Sequence, residues 1–216
     1  MAPGAADGLG FIHQYVAPSP ATKAAPTMLL LHGTGGSERD LLDLGRVLRP
    51  GAGLLSPRGK VSEQGAARYF RRLREGVFDT NDLIYRTSEL ASFVRQAARV
   101  YGFDLSQVIA AGYSNGANIA GSLLLLQRKL LAAAVLYRPM VPLVPDPLPN
   151  LQGKPVYIGA GRSDPLVSPS QTEALAELLQ RCGANVDLHW QEAGHALVLE
   201  DIQSAAAWMQ GVVDNR

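Results

Sequence analysis

Ser114 sits between two glycines in Gly112-Tyr113-Ser114-Asn115-Gly116, with a short apolar run, Val108 to Ala111, before it and a helix-like run rich in small residues after it. A serine in that context describes a nucleophile elbow, a sharp strand-to-helix turn that lifts the hydroxyl above a sheet. Gly112 and Gly116 fit the motif because the turn brings the strand and helix backbones too close for side chains. The helix start behind Ser114 also presents unpaired N–H groups to a developing anion.

A serine hydroxyl is a weak nucleophile near pH 7 and needs a general base within hydrogen-bond reach. The chain has four histidines, His13, His32, His189 and His195. His13 and His189 fall in strand-like runs and His32 opens a glycine-rich turn. His195 lies in Glu192-Ala193-Gly194-His195-Ala196, between the last strand-like and last helix-like segments, where an elbow-type hydrolase carries its base. The base in turn needs an acid to fix its tautomer. Asp164, in Gly161-Arg162-Ser163-Asp164-Pro165, follows a strand and stands between Ser114 and His195 in chain order; its nearest competitor, Asp146, sits among prolines with no strand ending beside it. Acyl transfer finally requires donors for an oxyanion. The N–H of Asn115 is one, and Thr34 N–H, in the turn His32-Gly33-Thr34-Gly35-Gly36, is the expected second. That turn lacks the Gly-Lys-Ser/Thr of a phosphate loop and the glycine spacing of a dinucleotide site. Cys182 has no comparable setting and is read as inert.

The elements that must position these residues alternate. Strands are expected at Phe11–Val16, Met28–Leu31, Leu54–Ser56, 108–111, Ala132–Leu136, Val156–Ala160 and Val186–Gln191. A helix is expected to open after Ser37, three residues before Asp40, with Leu41, Leu42, Leu44, Val47 and Leu48 on its apolar face. A second is expected to be capped by Thr80, with Leu83, Ile84, Leu90, Phe93, Val94, Ala97 and Val100 at helical spacing, and to stop at Gly102. Asn118–Gln127, Gln171–Arg181 and Leu197–Met209 complete the helices. Pro57 to Phe78 reads as a long irregular segment, of a kind that often covers a site, and Met140 to Pro155 as a proline-rich surface connection. This alternation predicts one α/β domain over residues 1–216, a mostly parallel sheet with helices on both faces, and a flexible start at 1–10. Ligands of such sheets sit beyond the carboxyl ends of the strands, so the glycine turn, the elbow and the loops carrying Asp164 and His195 share one rim.

A net charge of +1 argues against a partner chosen by bulk electrostatics, whether nucleic acid or anionic membrane. Arg68, Arg71, Arg72 and Arg74 interleave with Tyr69 and Phe70, but the cluster is short and Glu75 follows, which disfavours single-strand nucleic-acid binding. A loop folded over the site is preferred, with Tyr69 or Phe70, and Met140 after its strand, as candidates to line a substrate pocket. The single cysteine fits a reducing compartment. The first ten residues lack the features of a signal peptide, and the longest apolar block, Leu130 to Tyr137, is too short to span a bilayer. The expectation is a soluble cytoplasmic protein without membrane insertion.

Leu31-His32-Gly33-Thr34-Gly35-Gly36, the elbow through Ala117, Asp164 and Gly194-His195 together resemble the phospholipase/carboxylesterase family of α/β-hydrolases, which includes the acyl-protein thioesterases. Arg138-Pro139-Met140-Val141-Pro142, Arg71-Arg72 and Glu75-Gly76-Val77-Phe78-Asp79 look closest to its bacterial hydroquinone-resistance-type esterase branch. The likeness covers residues 11–210. It implies the α/β-hydrolase fold with little or no lid, Ser114 as nucleophile, His195 as base, Asp164 as acid, and Thr34 and Asn115 as backbone donors. It further implies no metal, no organic cofactor and possible homodimers. One departure is Glu63-Gln64-Gly65, where that branch has Glu-Asn-Gly. The activity implied is a serine carboxylesterase acting on short-to-medium acyl esters. The alternatives are a thioesterase or lysophospholipase with the same residues, or a non-catalytic scaffold that binds a ligand in the same pocket. A serine peptidase would need a cleft for extended peptide, which nothing in the sequence indicates.

Overall fold

The computed structural model describes residues 8–19 and 25–214. Most of the expected flexible start lies outside the described residues, but Leu9 is buried in the core beside Phe11. The elements follow in chain order. Strands β1 (His13–Val16) and β2 (Thr27–Leu31) precede helix α1 (Leu42–Leu48) and strand β3 (Gly53–Pro57). Four short strands come next, β4 (Val61–Glu63), β5 (Ala66–Arg68), β6 (Arg72–Arg74) and β7 (Val77–Phe78), then the long helix α2 (Thr80–Tyr101). β8 (Val108–Tyr113), α3 (Asn115–Leu126) and β9 (Ala133–Tyr137) form the centre. β10 (Pro155–Gly161), α4 (Pro169–Arg181), β11 (Asn185–Gln191) and α5 (Leu199–Asp214) close the chain.

Seven strands make the central sheet in the order β1-β3-β2-β8-β9-β10-β11. Only β1 is antiparallel to its neighbour, Val16 pairing with Leu54 and His13 with Pro57. The remaining pairs are parallel. The architecture is thus the mostly parallel sheet, covered by helices, that the alternation predicts.

Side chains divide by parity along each strand, as the pleat requires. Leu29 and Leu31 of β2 belong to one core cluster with Leu90, Phe93 and Val94 of α2, with α3, and with Leu175 and Leu179 of α4. Met28 and Leu30 of the same strand belong to the cluster on the other face, with Leu44 and Leu48 of α1 and Ala205 and Met209 of α5. A strand buried on both faces carries no polar alternation, which is why β2 reads as a continuous apolar run.

Several expectations about the helices need correction. Val47, Ile84 and Val100 are exposed; an apolar residue at the margin of a helical stripe need not reach the core. The cap of α2 is Asp79, whose carboxylate accepts from Asp82 N–H, and Thr80 is already helical. Gly102 ends that helix with φ 73°, as expected. The largest difference is at 57–78. Instead of an irregular segment, it forms two hairpins, β4 with β5 and β6 with β7. Strands of two or three residues are too short for alternation to show in sequence.

Among the described residues, no helix is long and apolar enough to cross a membrane.

Candidate active site

The strand order reverses between β2 and β8. The chain builds outward from β2 to β3, with β1 at the edge, then returns to lay β8 on the other side of β2. At such a point the two loops leaving the strand ends diverge and leave a crevice. The glycine turn begins where β2 ends, and Ser114 stands where β8 ends.

Ser114 has φ 53° and ψ −114°, a conformation an L residue adopts only when its surroundings impose it. The close approach that imposes it is visible at the flanking glycines. A Cβ on Gly112 would lie 2.4 Å from Gly116 O, and one on Gly116 would lie 1.9 Å from Leu31 O. The strand, the helix and the start of the glycine turn therefore touch backbone to backbone. Ser114 N–H donates to Tyr137 O at 2.9 Å, fastening the elbow to β9.

The structure brings Ser114, His195 and Asp164 together, although the histidine stands 81 positions after the serine and 31 after the acid. His195 Nε2 lies 2.9 Å from Ser114 Oγ, and His195 Nδ1 lies 2.8 Å from Asp164 Oδ2. A carboxylate only accepts, so Nδ1 carries the proton and Nε2 is left as acceptor for the serine hydroxyl. The Asp164 side chain is 1% exposed. Its other oxygen accepts from Leu166 N–H at 2.8 Å and Val167 N–H at 3.1 Å. Donors on both oxygens fix the direction of the carboxylate. The competing Asp146 is exposed in the loop between β9 and β10.

The other histidines serve the scaffold. His13 bridges Phe11 O and Tyr101 OH, both at 2.7 Å. His189 stacks on Tyr157. His32 lies 2.6 Å through Nδ1 from Gly33 O and accepts at Nε2 from Gly59 N–H at 2.9 Å, and burial pushes its pKa below the ordinary histidine value. A neutral imidazole with its proton on Nδ1 satisfies both contacts, tying the glycine turn to the segment after β3.

Within that turn, Gly35 N–H is taken by Ala67 O and Gly36 N–H by Gly33 O. Among the described residues no hydrogen bond engages the N–H of Thr34 or Asn115. Both residues line, with Ser114 and His195, a cavity of about 380 Å³. Its other walls are Phe78, Met140, Leu166 and Val167 on the apolar side and Arg68, Arg72, Glu75 and Asn118 on the polar side. The β6–β7 hairpin supplies part of this wall, so the segment 57–78 does border the site.

Met140 therefore lines the cavity as expected. Tyr69 and Phe70 do not: they are 2% and 0% exposed and belong to the core. The correction has a structural cause. Tyr69 is pinned on both sides, its hydroxyl donating to Pro57 O at 2.7 Å and its N–H to Asn115 Oδ1 at 2.7 Å. It supports Asn115, the residue after Ser114, instead of touching the cavity. That bond also fixes the Asn115 amide, whose Nδ2 is buried with no partner among the described residues.

Two residues of the site are given no chemical role by the sequence pattern. Arg138, directly after β9, is buried against Asp201 in the first turn of α5, and Tyr113 precedes Ser114 and reaches the loop carrying His195. The signal for Arg138 is a charged residue at the end of an otherwise apolar strand.

The sequence model of the dienelactone hydrolase family matches residues 59–209, about seven-tenths of the chain. The protein belongs to the dienelactone hydrolase family. It is 48% identical over 186 residues to the putative hydrolase MhqD of Bacillus subtilis, covering 86% of this chain and 93% of that one. This relative agrees with the hydroquinone-resistance-type likeness of Arg138-Pro139-Met140. The Bacillus cereus carboxylesterase structure is 45% identical with TM-score 0.91, over 94% of this chain and 95% of that one. A carboxylesterase from Mesorhizobium loti is 31% identical with TM-score 0.87, over 95% and 97% of the two chains. These likenesses place this family member among hydrolases of the α/β-hydrolase fold and agree with the carboxylesterase resemblance of the sequence motifs.

Proposed function

We propose that this hydrolase is a serine carboxylesterase for esters of short-to-medium acyl chains. The observation that carries the reading is the run of contacts Ser114 Oγ to His195 Nε2 and His195 Nδ1 to Asp164 Oδ2, opening onto one cavity with unengaged backbone N–H groups beside it.

In the first half-reaction Ser114 Oγ attacks the ester carbonyl and His195 Nε2 takes its proton. The N–H groups of Thr34 and Asn115 receive the oxyanion, where one lost donor typically costs about 3–4 kcal/mol of transition-state stabilisation. His195 then delivers the proton to the departing alkoxide, and the alcohol leaves the acyl-enzyme. In the second half-reaction His195 deprotonates a water that attacks the acyl carbon, and the proton returns to Ser114 as the carboxylic acid leaves. Asp164 stays ionised throughout and stabilises the imidazolium. Neither a metal nor an organic cofactor takes part.

The cavity volume of about 380 Å³ is near the lower end of small-molecule sites, which supports compact acyl groups against the apolar wall of Phe78, Met140, Leu166 and Val167. A cytoplasmic location and a homodimer are part of the same proposal, the first supported by the single buried Cys182 and the second by the family likeness.

The test is hydrolysis of p-nitrophenyl esters of increasing acyl length by wild type and Ser114→Ala. Short-chain activity that falls at least about 10⁴-fold in the variant supports the proposal. A preference for long chains moves the assignment to a thioesterase or lysophospholipase. No hydrolysis, together with no labelling of Ser114 by an irreversible serine probe, assigns the cavity to ligand binding instead.

A further inference from the structure

Resting on the serine-hydrolase reading, we propose that Arg138 is a positioning residue that sets His195 against Ser114, acting with Tyr113 as a clamp on the histidine loop. Three consecutive carbonyls of that loop are held by side chains from the two central strand ends. Arg138 Nε donates to Gly194 O at 3.0 Å, Tyr113 OH to His195 O at 3.1 Å, and Arg138 Nη2 to Ala196 O at 3.1 Å. The same guanidinium forms a two-pronged pair with Asp201, Nη1 to Oδ1 at 2.9 Å and Nη2 to Oδ2 at 2.6 Å. Asp201 in turn accepts from Val198 N–H at 2.9 Å. The loop is thus bound on its α5 side as well as from β9.

The backbone of Arg138 points to the same role. Its φ is 53°, like that of Ser114, and a left-handed conformation is unfavourable for a residue of this size. Arg138 N–H donates to Gly159 O at 2.8 Å, and the residue before it accepts from Ser114 N–H. The nucleophile and the histidine clamp therefore hang from adjacent residues of one strand end. A planar, five-donor group is suited to such a junction, since no other side chain reaches two loop carbonyls and both oxygens of a carboxylate.

The ion pair is fully buried, both side chains 0% exposed. Burial of that kind gives little net stability over apolar packing. A purely structural role would therefore be filled as well by an apolar pair, whereas holding the carbonyls of Gly194 and Ala196 would not.

The experiment compares wild type with Arg138→Lys and with the double variant Arg138→Met plus Asp201→Asn. Lysine keeps a charge for Asp201 but cannot span all four acceptors. The double variant removes the charges together while leaving an acceptor for Val198 N–H. Kinetics on a short p-nitrophenyl ester are normalised to sites titrated with an irreversible serine probe. The expected result is kcat down about 10–100-fold, KM within about threefold of wild type, and probe labelling slowed in parallel. Addition of methylguanidinium to Arg138→Ala, which leaves the guanidinium's place empty between Gly194 O, Ala196 O and Asp201, is expected to restore part of kcat. Folded variants with kcat within about twofold of wild type overturn the proposal. So does a loss confined to KM or to the titratable fraction, or failure of both variants to fold, which assigns the pair to folding alone. Wild type that neither hydrolyses esters nor reacts with the probe rejects the hydrolase reading itself, a separate outcome.

Discussion

Gly116 and Gly121 both lie within α3, yet the structure assigns them opposite tolerances. A Cβ on Gly116 would meet Leu31 O at 1.9 Å and His32 O at 2.6 Å, all backbone. Reaching ordinary contact requires the helix and the end of β2 to separate by about 1.5 Å, against interiors that pack without slack. Overpacking of this kind costs about 1–3 kcal/mol. The displaced parts are the turn carrying Thr34 and the helix start carrying Asn115. A misplacement of about 1 Å there lowers kcat by about 10²-fold. A Cβ on Gly121 meets only Pro142 Cγ and Cδ, at 3.5 and 3.8 Å, which is ordinary contact. Replacing a helix-interior glycine by alanine then stabilises by up to about 1 kcal/mol. The assay is chemical denaturation followed by p-nitrophenyl acetate kinetics on Gly116→Ala, Gly121→Ala and wild type. Gly116→Ala is expected to be less stable and about 10²-fold slower, and Gly121→Ala to be at least as stable with unchanged kcat. Equal stability and rate in Gly116→Ala would refute the proposed backbone contact between β2 and α3.

Three further outcomes are expected. Asp164→Asn should lower kcat by about 10⁴-fold with little change in KM, because an amide can hold His195 in the wrong tautomer; single-turnover kinetics measure it, and a loss under about tenfold would contradict the role. Gln64 and Gly65 both have positive φ, 51° and 85°, at the β4–β5 turn. That turn favours Asn-Gly, so Gln64→Asn should raise unfolding free energy by about 0.5 kcal/mol, and a measurable loss in denaturation would count against the turn. His32 has its pKa lowered by burial, so the unfolded chain binds the proton more readily. Its contribution to stability is complete above about pH 6.5 and is lost as pH falls through that value toward the folded-state pKa. His32→Gln should therefore flatten the change of melting temperature between about pH 7.5 and 5; an unaltered slope would show that His32 is not the group responsible.

The sequence by itself determined the features that depend on local chemistry. Two-faced burial of β2 left a continuous apolar run, the elbow needed its glycines, and the chain order of Ser114, Asp164 and His195 followed from where strands end. Only the tertiary structure decided the features that depend on approach between distant segments. Tyr69 and Phe70 are aromatic beside basic residues, which in sequence suits a pocket wall. The burial of Tyr69 follows from contacts with Pro57 and with Asn115, the latter 46 positions away. The hairpins at 61–78 are held by pairing across a turn, with too few residues to leave a periodic trace. Arg138 has a role because the strand order sets the end of β9 beside the loop leaving β11, whose partners lie 56 to 63 positions further along the chain. Spacing along the chain records which residues share an element; the registers of a folded sheet decide which strand ends meet.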